Sequence, residues 1–457
     1  MDAEVEAQIA AWRAFTGKNA AIAPDDVGEL EGHLRDQIDE LVASGLAPDE
    51  AFLVAIKRMG RLDDLSREYA REHADRLWKQ LVLSGDEPSV RASGMVLALG
   101  LAVAAAVAVK LPALFGVGAD GDASGFYLRN APLLILPFLA AYFLVRRPAP
   151  VRTIVVVASA FVAVAVLLNV YRFTAGGATE VLAALHAPVV LWLVTGLAYV
   201  GAQWRSGIAR MDFIRFTGEW FVYVVLLALG GGVLAGITMG VFGAIGLDPS
   251  RFVSDWLIPC GAAGAVVVAA WLVEAKQSVI ENIAPVLTKV FTPLFTALLL
   301  ALIVARLLQR DLVDPGAADY VVFGQRDLLI IFDVVLLVVL GLLLYSLSAR
   351  VPDQRPGWFD RLQLVMVIAA LVVDVLVLIA MIGRIGAYGA SANKLASLGL
   401  NLILLINLGG AAWLQAGFLR HRTRFATLER WQTSYVPVYL AWAAVVVVVF
   451  PPAFGFD

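Results

Sequence analysis

Two aspartates stand where aspartates are costly. Asp333 interrupts the apolar run Ile330–Leu337, and Asp374 interrupts Leu371–Leu378. If those runs cross a bilayer, each carboxylate raises the cost of insertion by about 2.5–3.5 kcal/mol, so each needs a partner or a task. Three readings stay open: a structural ion pair, a path for an ion or solute, or a proton-linked switch. The basic candidates are Arg306, Arg384 and Lys394, all expected at helix ends on the same side. Asn401 follows Lys394 by seven residues and so shares its helix face. Ser391 is placed to cap that helix through its hydroxyl.

Other chemistry is missing from the sequence. It holds no GxSxG, no HExxH and no glycine-rich loop followed by lysine. Two facing carboxylates could serve an intramembrane hydrolase, but neither lies in a motif that supports it, so no enzyme is expected. Cys260 is the single cysteine, and the four histidines are scattered. That excludes an internal disulfide and a CxxC site, and no metal site or cofactor is expected. ATP-driven transport would need a partner chain.

The elements that must position these residues are membrane helices. Of the 457 residues, 60% are apolar and 16% charged, and the mean hydropathy is +0.80. Soluble domains have about 45–50% apolar and about 25% charged residues. Runs of about twenty apolar residues, each long enough for a hydrocarbon core of about 30 Å, predict eleven spans. They lie at 93–111, 129–145, 151–171, 181–201, 214–240, 256–273, 288–308, 328–348, 362–382, 395–418 and 436–450. The expected fold class is therefore all-α, a polytopic transmembrane bundle (93–450) behind a small cytosolic helical domain (1–84) and a linker (85–92). No cleavable signal peptide precedes the first span, so that span is expected to direct insertion.

Charge sets the expected orientation. Residues 1–92 hold 11 Lys and Arg against 19 Asp and Glu, a net of −8; the remainder is +5. So acidic a front excludes nucleic acid as a partner. With the N-terminus inside, the inner connections carry 15 cationic residues, among them Arg146, Arg147, Arg215, Arg350 and Arg422, and the outer ones nine. The positive-inside rule favours that topology, with Asp457 outside.

The front domain reads as four amphipathic helices. Their apolar stripes are Val5, Ile9 and Trp12; then Leu34, Ile38 and Leu41, stopped by Gly45; then Phe52, Ala55 and Met59; then Leu62, Leu65, Tyr69 and Leu81. The stretch Glu29–Phe52, with Ala55-Ile-Lys-Arg-Met-Gly60, resembles the permease prefix domain, a bacterial helical module related to the HAAS helices. That resemblance implies a cytosolic adaptor with a protein partner. Farther on, Arg384–Lys394, Asn401–Asn407 and Trp431–Tyr439 resemble the DUF4153 family of bacterial integral membrane proteins, where an acid usually stands at the position of Ala387. This implies a bacterial inner membrane location and assigns no activity.

The fifth span is rich in glycine. Gly232, Gly236 and Gly240 recur every four residues, a stripe expected to let another helix approach closely. Beyond the lipid bilayer and a cytosolic partner, room remains for a homo-oligomer. The leading expectation is a transporter or channel-like protein whose polar site lies in the outer half of spans seven to ten. The alternative is a sensor that signals through its front domain. Single-cysteine variants in a Cys260→Ala background test the topology: a thiol placed at residue 318 labels from outside the cell, and one at Arg422 labels only after permeabilisation. Labelling of both from one side refutes the orientation.

Overall fold

The computed structural model describes residues 5–6, 8–10, 24–58, 88–117, 124–147, 149–275, 283–310, 326–350 and 356–457. Some side chains near helix ends, that of Arg306 among them, lie outside the description. The chain divides into two compact units, Met1–Arg91 and Ala92–Asp457.

In the first unit, α1 (Pro24–Ala43) and α2 (Pro48–Arg58) pack through Leu34, Ile38 and Leu41 against Ala51, Phe52 and Ala55, with Val5 and Ile9 in the same core. Gly45 ends α1 at φ +101°, a left-handed turn that leaves its amide bonded to Val42 and the Leu46 amide bonded to Leu41. Arg35 joins Glu6 at 2.6 Å and Glu31 at 2.9 Å, and its guanidinium holds the Glu6 carboxyl below the ordinary carboxylate range. The expected fourth helix and Trp12 lie outside the described residues.

The second unit is helical throughout its described residues. Its elements are α3 (Pro88–Leu114), α4 (Ser124–Arg146), α5 (Val151–Val170), α6 (Ala178–Val200) and α7 (Gly207–Ala244). Then come α8 (Ser250–Ala275, with a widened turn at Val253–Leu257), α9 (Ile283–Arg310), α10 (Arg326–Ser348), α11 (Trp358–Tyr388), α12 (Ala392–Leu419), α13 (Phe425–Val448) and the short α14 (Phe450–Ala453). Eleven helices, α3 to α13, are long and apolar enough to cross a membrane. The chain is an all-α, multi-pass integral membrane protein.

Two apolar cores hold the bundle. One joins α3–α8, centred on Tyr142, Phe143, Leu168, Leu191 and Phe216; the other joins α9–α12, centred on Leu299, Leu336, Leu343, Met366 and Leu404. Helix α13 contributes to both, through Val447 to the first and Leu428 to the second. It starts eleven residues before the expected span at 436, because its first turns carry polar side chains that depress the apolar signal. Those turns are nonetheless packed on α12: Trp431 Nε1 donates to the Asn407 carbonyl at 3.0 Å, and Asn407 Nδ2 donates to the Tyr439 hydroxyl at 2.6 Å.

Among the described residues the glycine stripe has no neighbour: Gly232, Gly236 and Gly240 are exposed, and a Cβ at any of them would meet nothing within 4 Å. The closest approaches occur at other glycines, and the tightest of these lie beneath aromatic rings. A Cβ at Gly399 would lie 2.1 Å from Trp442, at Gly410 2.3 Å from Trp431, and at Gly218 2.4 Å from Tyr345. Overpacking of this kind costs about 1–3 kcal/mol. Gly399→Ala and Gly410→Ala are therefore expected to lower the melting temperature of the detergent-purified chain. Gly236→Ala should stay within about 0.5 kcal/mol of wild type. Equal shifts at all three positions would contradict the assignment.

Candidate functional site: a carboxylate pair inside the bundle

Arg350, just past the end of α10, pairs with Asp360 in the first turn of α11, so the two helix ends lie at one level and give a common ruler. Asp333 lies 15 residues before the end of α10 at Ser348, and Asp374 lies 16 residues after the start of α11 at Trp358. At 1.5 Å per residue these are about 22 and 24 Å. The two carboxylates thus share one depth within the bundle.

Their surroundings differ. Asp333, half-buried, accepts a hydrogen bond on each oxygen: Ser397 Oγ donates to Oδ2 at 2.7 Å, and Asn401 Nδ2 donates to Oδ1 at 2.7 Å. Both donors stand on α12, one turn apart. Asn401 Nδ2 also donates to the Ser397 carbonyl at 2.9 Å, which fixes the orientation of the amide by its partners. Asn401 is fully buried, and its Oδ1 has no hydrogen-bond partner among the described residues.

Asp374 is fully buried, and neither of its oxygens has a hydrogen-bond partner among the described residues. Asp333 is close enough to act on it electrostatically. Next to α11, helix α9 turns Thr288, Thr292 and Thr296 inward, and Thr292 Oγ1 is likewise unpartnered among the described residues. A buried carboxylate with no donor is costly, by several kcal/mol if it is ionised.

Of the residues singled out from the sequence, Asp333 and Asn401 are joined directly, and Asp374 lies within electrostatic reach. Among the described bonds of the two aspartates, none comes from Arg384 or Lys394. An Asp374–Arg384 pair is not formed, because ten residues along one helix is about 15 Å, beyond the reach of the two side chains. Arg384 has a different partner. Lys394 turns to the end of the preceding helix, where Nζ donates to the Gly389 carbonyl at 2.7 Å; a flexible cation at a helix terminus finds free carbonyls there. The Arg306 side chain lies outside the described residues. Ser391 does occupy the N-cap position of α12, but its side chain makes no capping bond. Among the described residues no three His, Cys, Asp or Glu side chains gather as a metal site. Ser397 went unnoticed in the sequence, although its spacing of four from Asn401 was the available signal.

A second polar region lies where α4, α6 and α8 end and α7 begins. There a cavity of about 500 Å³ is lined by Arg147, Tyr199, Asp212, Arg215, Glu219 and Glu274. Places near helix ends would let Glu219 and Glu274 reach the membrane surface, but both turn into the protein. Glu219 is 5% exposed, and Glu274 accepts from Tyr142 at 2.7 Å and from Arg147 at 3.1 Å. Arg147 also stacks on the Tyr199 ring, 3.7 Å from its centre. The carboxylate therefore ties α8 to the end of α4, and Arg147 carries the link on to Tyr199 of α6. Lys276 lies outside the described residues.

Removing a donor from Asp333 leaves that carboxylate under-satisfied. Ser397→Ala is expected to cost about 1–3 kcal/mol. Asn401→Leu, which takes the donor from Asp333 Oδ1 and puts a branched apolar side chain at a fully buried position, should cost more. Combining Ser397→Ala with Asp333→Asn should recover part of the loss in a thermal-unfolding cycle. Strict additivity would mean that the bond contributes nothing. Comparisons with known proteins return no match: no protein-family model, no curated protein and no solved structure corresponds to the chain.

Proposed function

We propose that the chain is a transporter or channel-like membrane protein that carries a cation, or a solute coupled to one, between α9 and α12. The observation that carries this reading is Asp374, a fully buried carboxyl with no hydrogen-bond partner among the described residues, at the depth of a second carboxylate served only by neutral donors. Ionisable residues inside membrane bundles commonly mark ion and solute pathways. A purely structural role would be better served by an arginine or lysine in contact, and neither carboxylate has one among the described residues. The distribution of arginine supports a cytosolic N-terminus and an outer C-terminus in a bacterial inner membrane. The permease prefix and DUF4153 resemblances fit the same reading, and a first unit with its own core supports a cytosolic partner that regulates the membrane unit.

Reconstitution tests it. Vesicles containing the purified chain are loaded with sodium- or pH-sensitive dyes, and gradients of sodium, potassium or protons are imposed. Wild type is expected to dissipate at least one gradient faster than protein-free vesicles. Asp374→Asn, with an unchanged circular dichroism spectrum, should fall to the protein-free rate. No flux of any of the three ions through wild type refutes the reading.

A further inference from the structure

The oxygens around Asp333 are unevenly served. Both of its own oxygens carry a donor, from Ser397 and from Asn401. Three others have no partner among the described residues: Asp374 Oδ1 and Oδ2, and Asn401 Oδ1. All three belong to side chains with no exposed surface. The Asn401 amide cannot turn over to present a nitrogen instead, because its Nδ2 is already committed to Asp333 Oδ1 and the Ser397 carbonyl. Buried polar atoms without partners are rare, and a group of acceptors with no donor calls for a species that accepts lone pairs.

The geometry points to a binding site for a small monovalent metal cation of the sodium class, coordinated by the Asp374 carboxylate and Asn401 Oδ1, with Asp333 as the neighbouring charge. Three features select that chemistry. All the available ligands are hard oxygens, and these suit alkali and alkaline-earth cations rather than zinc or copper. The coordinating set is small and carries one carboxylate, Asp374, since both Asp333 oxygens are already occupied by neutral donors. A divalent ion such as magnesium sheds its water reluctantly, which ill suits ligands sealed from solvent. A proton on Asp374 would donate one hydrogen bond and leave at least one of the three oxygens unserved; a cation serves all three. Asn401 thereby acquires a double role, its nitrogen holding Asp333 in place and its oxygen facing the ion.

This inference rests on reading α9–α12 as an ion path, and it names the ion. The test is binding, measured independently of flux. The full-length chain in detergent is melted at pH 7.5 in sodium, lithium, potassium or choline chloride at equal ionic strength, and retention of radioactive sodium is measured in parallel. Sodium or lithium is expected to raise the melting temperature in a saturable way relative to choline. Asp374→Asn should abolish both the rise and the sodium retention. Ser397→Ala, which removes only the hydroxyl that positions Asp333, should weaken half-saturation by about tenfold or more, as loss of a supporting hydrogen bond does at metal sites. The cation site is overturned if wild type melts identically in all four salts and retains no sodium. Proton flux in the vesicles, if it persists in that case, leaves the transport reading standing; absence of both refutes the two together. Should Asp374→Asn fail to fold, the salt series on wild type and on Ser397→Ala decides alone.

Discussion

In hydrocarbon no water completes an unpaired peptide group, and lipid tails are as apolar as leucine. The first fact makes every crossing segment a helix. The second removes the hydrophobic force that would drive those helices together, leaving close packing and buried polar contacts to do so. Much of this structure follows from that constraint. Its helices meet where a glycine lets an aromatic ring lie on bare backbone, as Gly399 does for Trp442 and Gly410 for Trp431. Elsewhere they meet where a polar side chain finds its partner on another helix. Asn130 and Asn169 exchange bonds between α4 and α5, and Arg129 holds the buried Glu180 at 2.8 Å between α4 and α6.

The same constraint explains the place of α13. It is the last long helix in the chain, yet it closes both cores: its polar first half lies against α12, and its apolar second half enters the group around α6. Past its end the chain returns to the start of α6, where the Thr174 and Thr179 amides donate to the Phe456 and Asp457 carbonyls, both at 2.9 Å. Helix α7 shows the opposite case. Its first half is sandwiched between the cores, while from Gly230 onward it presents open glycine backbone.

The sequence made the span count and the two odd aspartates legible, because both depend on composition within one segment. An acid in a run such as Leu371–Leu378 is conspicuous whatever surrounds it. Partners were far less legible, since they depend on which helices are neighbours. Arg384 looked like a counter-ion to Asp374 because the two are close in the chain, but helical rise keeps them apart. Ser397 and Asn401 proved to be the partners of Asp333 across 64 and 68 residues of chain. The glycine stripe shows a related limit, for no described residue covers it. Spacing shows that a face can accept a neighbour, whereas only the fold shows whether one is there. The Glu219 and Glu274 positions near helix ends likewise suggested the membrane surface, and only the inward-facing cavity reveals their partners.

The bonds around the carboxylate pair divide the surrounding helices into unequal mechanical parts. Asn401 and Ser397 bolt α12 to α10 at the level of Asp333. Helix α11 is fastened to α12 lower down, where Gln415 Nε2 donates to the Asp360 carbonyl at 3.1 Å and to Gln363 Oε1 at 3.0 Å. From Gln363 to Asp374 is eleven residues, about 16 Å of helix. Over that length α11 is held by apolar packing alone, through Met366, Val367, Ala370 and Val373, and Asp374 has no side-chain bond among the described residues. One carboxylate is fixed by hydrogen bonds to a neighbouring helix, the other only by the fit of the residues around it.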